Sequence, residues 1–273
     1  MAPSGTTTDA DETPAGVYDA LAPVYDAMGG ARFATLVADR LDPLLSSDRG
    51  AFLDLGCGTG ALLCALRERH PGWRLSGVDV SPGMLAVARR KPAGEGVLWA
   101  RVRLPGPLPF TERFDVVGAF YDTLNHLADL DTLGATFRAV AALLRPGGRL
   151  LFDLNNAFGF ETWWRYRVAF DVEGHHIDSE LGYDRRARTA HAAIRLGRGA
   201  AERRFLLRQR CFPEAEVEGA LLRAGLTPEI AAPWSPVNPD SPSKTWFVAT
   251  KRHWMADGAA EQCVKMVKST SSF

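Results

Sequence analysis

The stretch DLGCGTGALL, Asp54 to Leu63, sets three glycines within five positions directly after a short apolar run, AFLDLG at 51–56. Glycines so placed let a backbone turn sharply, or approach a bound group that a side chain would block. Three groups fit such an approach: a nucleotide phosphate, a dinucleotide pyrophosphate and the amino-acid end of a sulfonium cofactor. A Walker-type phosphate loop needs a lysine and a hydroxyl residue after its last glycine. Gly60 is followed by Ala61, Leu62 and Leu63, so that reading fails. The dinucleotide reading survives: GCGTGA satisfies G-x-G-x-x-A, and Asp79 ends the next strand, where an acid would bind ribose.

Outward from this turn, ALLCALRERH continues at helical period and stops at Pro71-Gly72. RLSGVDV (74–80) reads as a second strand, and Ser81-Pro82 supplies an N-cap and a first-turn proline for the next helix. GVLWARV (96–102) and FDVVGAF (114–120) read as strands three and four, followed by a helix to about Leu144. RPGG then turns the chain into a fifth strand, RLLFDL (149–154). Short apolar strands alternating with amphipathic helices predict an α/β fold, a parallel sheet covered by helices on both faces. The rhythm changes at 160–211, where WWRYRVAFDV, IDSELGYD, RTAHAAIRL and RRFLLRQRC read as antiparallel strands with no helix. Helical pattern returns at 213–225, and two last strands, TPEIAAPW and TWFVATK, follow.

The chain has 273 residues and no net charge, so no overall field recruits nucleic acid or an anionic membrane. The four cysteines (57, 64, 211, 263) form no CxxC pair and no zinc spacing, which predicts a reduced, cytoplasmic protein. The start, MAPSGTTTDADETPAG, has neither a basic segment nor an apolar run, and no stretch reaches membrane-span length; neither signal peptide nor membrane association is expected. His175-His176 has no carboxylates at ligand spacing, and no metal is expected.

The signature LDLGCGTG, then GVDVSPGML one helix later, LPF with FDVV, the LNHL loop and LRPGGRLLFD occur in one order. Together, over roughly residues 17 to 251, they resemble the class I S-adenosylmethionine-dependent methyltransferases. The insertion after strand five, ending in RQRCF, is similar to that of a bacterial small-molecule subset. The resemblance implies a Rossmann-like doubly wound, mostly parallel seven-stranded sheet with a small antiparallel β insertion. It implies a core at 16–156 and 212–252, an insertion at 157–211 over the active site, a disordered tail at 1–15 and a C-terminal tail at 253–273.

It further implies S-adenosyl-L-methionine as cofactor. Gly56 and Gly58 would admit its methionine portion, Cys57 would serve as a small residue in that turn, and Asp54 would orient the loop or reach the cofactor's amino group through water. Asp79 would accept hydrogen bonds from the ribose, while Met84, beside Val80, would pack on the adenine; a plain core methionine is the competing reading. Tyr18 and Tyr25, seven apart, resemble a YD…YD lid helix closing over the cofactor. One feature departs from the pattern. Many relatives carry an acid four places before the LPF leucine, where this chain has Leu104, leaving adenine to backbone groups and packing.

A sulfonium already carries a good leaving group, so the protein's task is in-line positioning of the acceptor. A hydroxyl acceptor would also benefit from a base, and an amine needs a free lone pair. FYDTLNHL, at the carboxyl end of the fourth strand, brings Tyr121 and His126 there as catalytic candidates with Tyr18, and Phe120 toward the cofactor, unless Phe120 and Tyr121 merely finish the strand. His126 suits base duty; a histidine hydrogen-bonded at the start of the next helix is the alternative. Trp163 and Trp164 head the insertion as candidate acceptor walls, or as packing between the insertion and the core. Residues 185–210 hold nine arginines and one acid. Alternating arginines usually make a solvated face; an RNA- or protein-directed methyltransferase is the sharper alternative, and a nicotinamide-dependent oxidoreductase is the third. The expectation is a monomeric or homodimeric enzyme that methylates an N or O atom of a small molecule.

Overall fold

The computed structural model describes residues 13–235 and 242–252. The expected C-terminal tail and residues 1–12 of the N-terminal one lie outside the described residues. The chain is already helical at Pro14, where the N-terminal tail was expected to extend to residue 15. Thr13 caps the Gly16 N–H, and Pro14 takes the first turn of helix α1 (Pro14–Leu21), where its missing N–H costs nothing. Near Pro23 the expected lid helix is interrupted and resumes as a π-helical turn at Asp26–Gly30 leading into α2 (Ala31–Leu41). Gly29 supplies the positive φ (115°) that this junction needs.

Strands β1 (Gly50–Leu55), β2 (Trp73–Asp79), β3 (Leu98–Arg101), β4 (Phe114–Ala119) and β5 (Leu144–Asn155) are parallel. Helices α3 (Ala61–Arg69), α4 (Pro82–Arg90) and α5 (Leu130–Leu143) connect them. With β10 (Leu226–Trp234) and β11 (Lys244–Lys251) the sheet has the order β10-β11-β5-β4-β1-β2-β3, β11 running antiparallel to both neighbours. Ala51, Phe52, Leu53 and Leu55 of β1 are fully buried, as a central strand covered on both faces requires. Each such side chain contributes about 1.5–3 kcal/mol by leaving water. RPGG was expected to be a turn before the fifth strand. It instead bulges within β5, whose pairing with β4 jumps from Phe114–Leu144 to Val116–Arg149.

The insertion forms a separate four-stranded antiparallel sheet, β6 (Arg167–Val172), β7 (His175–Asp184), β8 (Thr189–Leu196) and β9 (Arg203–Arg210). It is not free of helix, as the sequence pattern predicted. Asn156 Oδ1 accepts the Gly159 N–H and starts α6 (Ala157–Trp163), so Trp163 and Trp164 close a helix and the first strand begins only at Arg167. Ile177, Ile194, Leu196, Phe205 and Leu207 on the inner face pack with Val17 and Leu21 of α1. The sheet thereby holds α1 in place. Helix α7 (Glu214–Arg223) leads to the last two strands.

Among the described residues, at least five of the nine arginines at 185–210 are held in ion pairs: Arg185 with Glu161, Arg188 with Glu216, Arg195 with Asp178, Arg198 with Asp171 and Arg204 with Glu202. Most of the local positive charge is therefore answered within the protein. Among the described residues no helix is long and apolar enough to cross a membrane, and no three His, Cys, Asp or Glu side chains gather as a metal site.

Candidate active site

A cavity opens at the carboxyl ends of β1, β2 and β4, with about 1140 Å³ of atom-free space, part of it open at the mouth. Asp54, Gly56, Cys57, Gly58, Asp79, Val80 and Met84 line one side, and Tyr18, Tyr25, Phe120, Tyr121 and His126 another. Twelve of the fourteen residues singled out in the sequence thus share one cavity. Trp163 and Trp164 are not among its lining residues. Trp163 is 48% exposed, and Trp164 packs on Phe160 with ring centroids 5.4 Å apart.

The three glycines of the turn do different things. All have positive φ, Gly56 at 70°, Gly58 at 54° and Gly60 at 73°. A Cβ on Gly56 would strike the Thr123 side chain, and one on Gly60 would strike Trp99 and Ala88. A Cβ on Gly58 would meet nothing closer than the Tyr25 ring at 3.9 Å. Gly56 and Gly60 are thus required by packing. Gly58 faces the space a ligand would fill. The Gly56 and Cys57 N–H groups donate to Val78 O at 2.7 and 3.0 Å, tying the turn to β2. Burial pushes the Cys57 thiol well up, so it stays protonated and inert.

Two acids flank the turn. Asp79 accepts the Gly58 N–H at 2.9 Å on one oxygen and the Ser81 N–H at 2.8 Å on the other. Each oxygen retains a lone pair for a further donor. Burial raises its pKa, against the lowering by these backbone bonds. Asp54 is 3% exposed and lines the cavity, and its carboxylate takes no hydrogen bond from the described residues. Burial, then the charge of Asp79, pushes its carboxyl well up. An unanswered buried carboxyl beside an open Gly58 matches a polar, cationic ligand end placed against the turn. Gly60 gives α3 no side-chain cap, so that helix also offers free N–H groups nearby. Met84 is buried; Val80, Met84, Val102 and Leu104 line the part of the cavity beyond Asp79, with no acid at position 104.

The lid is latched by the two aspartates of its YD pairs. Asp19 Oδ1 accepts from Ser81 Oγ at 2.5 Å and Gly83 N at 2.7 Å. Asp26 accepts from Thr59 Oγ1 at 2.5 Å and pairs with Lys91 at 2.6 Å. These bonds hold Tyr18 and Tyr25 over the cavity, their rings edge to face at 6.1 Å. Burial pushes both phenols well above the ordinary value, so both are neutral.

Tyr18 Oη lies 2.9 Å from His126 Nε2, and His126 Nδ1 lies 3.2 Å from the Arg208 carbonyl. The carbonyl only accepts, so Nδ1 carries the proton and Nε2 accepts from the tyrosine. Burial lowers the His126 pKa, outweighing the pull of Asp122, and the ring is neutral near pH 7. Tyr121 stacks on Phe33 at 4.1 Å, and Phe120 stacks on Trp246 at 5.2 Å. Tyr121 and Asp122 both adopt left-handed backbone (φ 57° and 56°), which costs roughly 1–2 kcal/mol per non-glycine residue. Asp153 of β5 holds the turn by accepting both N–H groups, at 2.8 and 3.0 Å.

Sequence reasoning missed Asp122, Asp153, Gln209 and Lys244, which meet behind this wall. Lys244 Nζ bonds Asp122 and, at 3.0 Å, Asp153, and Gln209 donates to Asp122 at 2.9 Å. These residues come from four elements far apart in the chain. Asp122 in FYDTLNHL, Asp153 in LRPGGRLLFD and Gln209 in RQRCF lay inside motifs that had drawn notice without a role being given to them, and Lys244 lay in none.

A turn of glycines after β1, an acid ending β2 and a latched helical lid define a doubly wound enzyme that binds an adenosine-bearing cofactor. A family model described as "Methyltransferase domain" matches residues 53–150. A Geobacillus sp. (strain WCH70) protein carrying a methyltransferase name is 30% identical over 221 residues, 73% of this chain and 83% of that one. Among solved structures, the S-adenosylmethionine-bound amino pentose methyltransferase CalS10 of Micromonospora echinaspora superposes with a TM-score of 0.62. It is 27% identical, covering 84% of this chain and 96% of that one. The sugar N-methyltransferase KedS8 of Streptoalloteichus sp. shares the fold with a TM-score of 0.69 at 24% identity, covering 93% and 100%. The chain belongs to the class I S-adenosylmethionine-dependent methyltransferase superfamily. It is an enzyme, and its cofactor is S-adenosylmethionine.

Proposed function

We propose that the protein methylates an N or O atom of a small organic molecule held between Tyr18, Tyr121 and His126. S-adenosylmethionine, when bound, supplies a methyl group on a positively charged sulfur that is ready to leave. Asp54 and the open face of Gly58 would take its amino-acid end, Asp79 its ribose hydroxyls, and Val80, Met84 and Leu104 its adenine. The chain then has to place an acceptor lone pair in line and receive one proton. The carrying observation is the 2.9 Å Tyr18–His126 hydrogen bond across the cavity from the glycine turn. Tyr18 points its own proton at His126, leaving its oxygen lone pairs for the acceptor's O–H or N–H. A proton received by Tyr18 can then be passed on as the phenolic proton moves to Nε2.

Two solved neighbours are named for an amino pentose and for sugar N-methylation, which supports a sugar-bearing small molecule as acceptor. The ion-paired arginines of the insertion speak against RNA as acceptor. The test is incubation of the enzyme with isotope-labelled cofactor and a panel of amino sugars and hydroxylated aglycones. Gain of one labelled methyl by a small molecule is expected. Labelling of bulk RNA or protein alone would overturn the reading.

A further inference from the structure

The acceptor wall is backed by a charge cluster that the proposed chemistry does not itself explain. Lys244 is 5% exposed and sits between two carboxylates, Asp122 and Asp153, of which Asp153 is fully buried. Lys244 Nζ also lies 5.9 Å from the ring centres of both Phe33 and Tyr121, directly behind the stacked pair that lines the cavity. Buried lysines are rare, and one bridging two acids leaves the trio with a formal excess of one negative charge. The excess faces His126, four residues beyond Asp122 on the same turn, with Gln209 bonded to Asp122 and 3.4 Å from His126 Nε2.

We infer that Lys244 is a positioning residue for methyl transfer: it clamps the Tyr121–Asp122 turn against the cavity and sets the charge that His126 experiences. The inference rests on the reading of His126 as proton acceptor. Without the ammonium, two carboxylates would sit together uncompensated, and the left-handed turn would lose the group that holds its acid to Asp153.

The groups that face His126 are few. Tyr18 of α1 donates to it, the Arg208 carbonyl and Gln209 of β9 lie beside it, Asp122 precedes it, and Asp153 of β5 and Lys244 of β11 stand behind Asp122. Lys244 works to lower the imidazole pKa and Asp122 to raise it. Burial alone would push the Asp122 carboxyl up, yet the ammonium beside it and its hydrogen bonds hold it below the ordinary carboxylate range. Burial likewise works to neutralise Lys244, and the two acids more than reverse this. The geometry therefore makes opposite demands on two variants. Removing the cation should raise the His126 midpoint, and removing the neighbouring anion should lower it.

The test is an NMR titration of the full chain carrying labelled histidine, saturated with S-adenosylhomocysteine, with the His126 signal assigned through His126→Gln. Lys244→Met should raise the His126 midpoint by about one pH unit, Asp122→Asn should lower it, and Lys244→Arg should stay near wild type. Should Lys244→Met not fold, Asp122→Asn and Lys244→Arg carry the test, a lowered midpoint for the first and an unchanged one for the second being required. Midpoints that stay put, or move in the same direction in folded Met and Asn variants, overturn the inference. Failure of the base reading is a separate result: full acceptor turnover in His126→Gln would remove that reading whatever the titrations show.

Discussion

The two sides of the cavity are built in different ways. The cofactor side comes almost wholly from one run of chain, residues 54–84, in which a strand, a glycine turn and an acid follow one another at short intervals. Its key contacts are backbone ones: Gly58 N–H to Asp79, and Gly56 and Cys57 N–H to Val78 O. The acceptor side draws Tyr18 from α1, Tyr121 and His126 from beyond β4, Asp153 from β5, Gln209 from β9 and Lys244 from β11. Local geometry makes the first side, and long-range packing makes the second. A single substitution should therefore disable one side and spare the other.

The sharpest break is Gly58→Val, which sets a branched side chain at positive φ in the open face of the turn. Cofactor affinity should fall at least about 100-fold, near 2.7 kcal/mol, with a folded circular dichroism spectrum. Wild-type affinity by calorimetry would mean that the glycines serve only the turn.

On the opposite side, His126→Gln should lower kcat/KM for a hydroxyl acceptor by about 100-fold, with cofactor affinity within threefold. The pH profile gives the same comparison without a mutation. Because burial lowers the His126 pKa, the neutral ring persists below the ordinary value of about 6.5, and turnover should fall only as pH drops through that lowered value. An acid limb that survives in His126→Gln would assign the titration elsewhere.

Asp79→Ala should weaken the cofactor by about 1.5–3 kcal/mol, the usual loss for hydrogen bonds to a charged acceptor. Part of that loss would come from the turn itself, since Asp79 also holds the Gly58 and Ser81 N–H groups. Asp79→Asn, which keeps the shape, should recover some of it. Equal affinities for Ala and wild type would remove Asp79 from the ribose role.

The smallest effects belong to the tryptophans at the head of the insertion. Trp164 is half-buried against Phe160, so Trp164→Ala should cost about 1–3 kcal/mol of stability, less than a fully buried ring would. Trp163, half exposed, should change stability by no more than about 0.5 kcal/mol. Neither should alter cofactor affinity. A raised acceptor KM in a Trp163→Ala variant of unchanged melting temperature would bring these residues back to the acceptor pocket.

The parallel core was legible because each of its strands is a local apolar run closed by a local stop. Pro71-Gly72 ended one helix, and Ser81-Pro82 opened the next. Asp79 and Gly58 stood out for the same reason, their roles depending on residues within about one βαβ unit. The α6 helix was missed because its signal, Asn156 as cap, is one residue long and is followed by aromatics that suit either helix or strand. What the amino-acid order determined by itself was therefore the doubly wound sheet and the glycine turn, while the choice of cofactor came with the family resemblance. Only the tertiary structure decided that Gly58 alone among the three glycines has room for a side chain, that His126 meets Tyr18 across 108 positions, and that Lys244 lies between Asp122 and Asp153. The physical reason is range. Backbone turns and helix caps act over a few residues and leave a readable pattern, whereas a buried charge is tolerable only beside partners that the folded sheet brings together from distant strands.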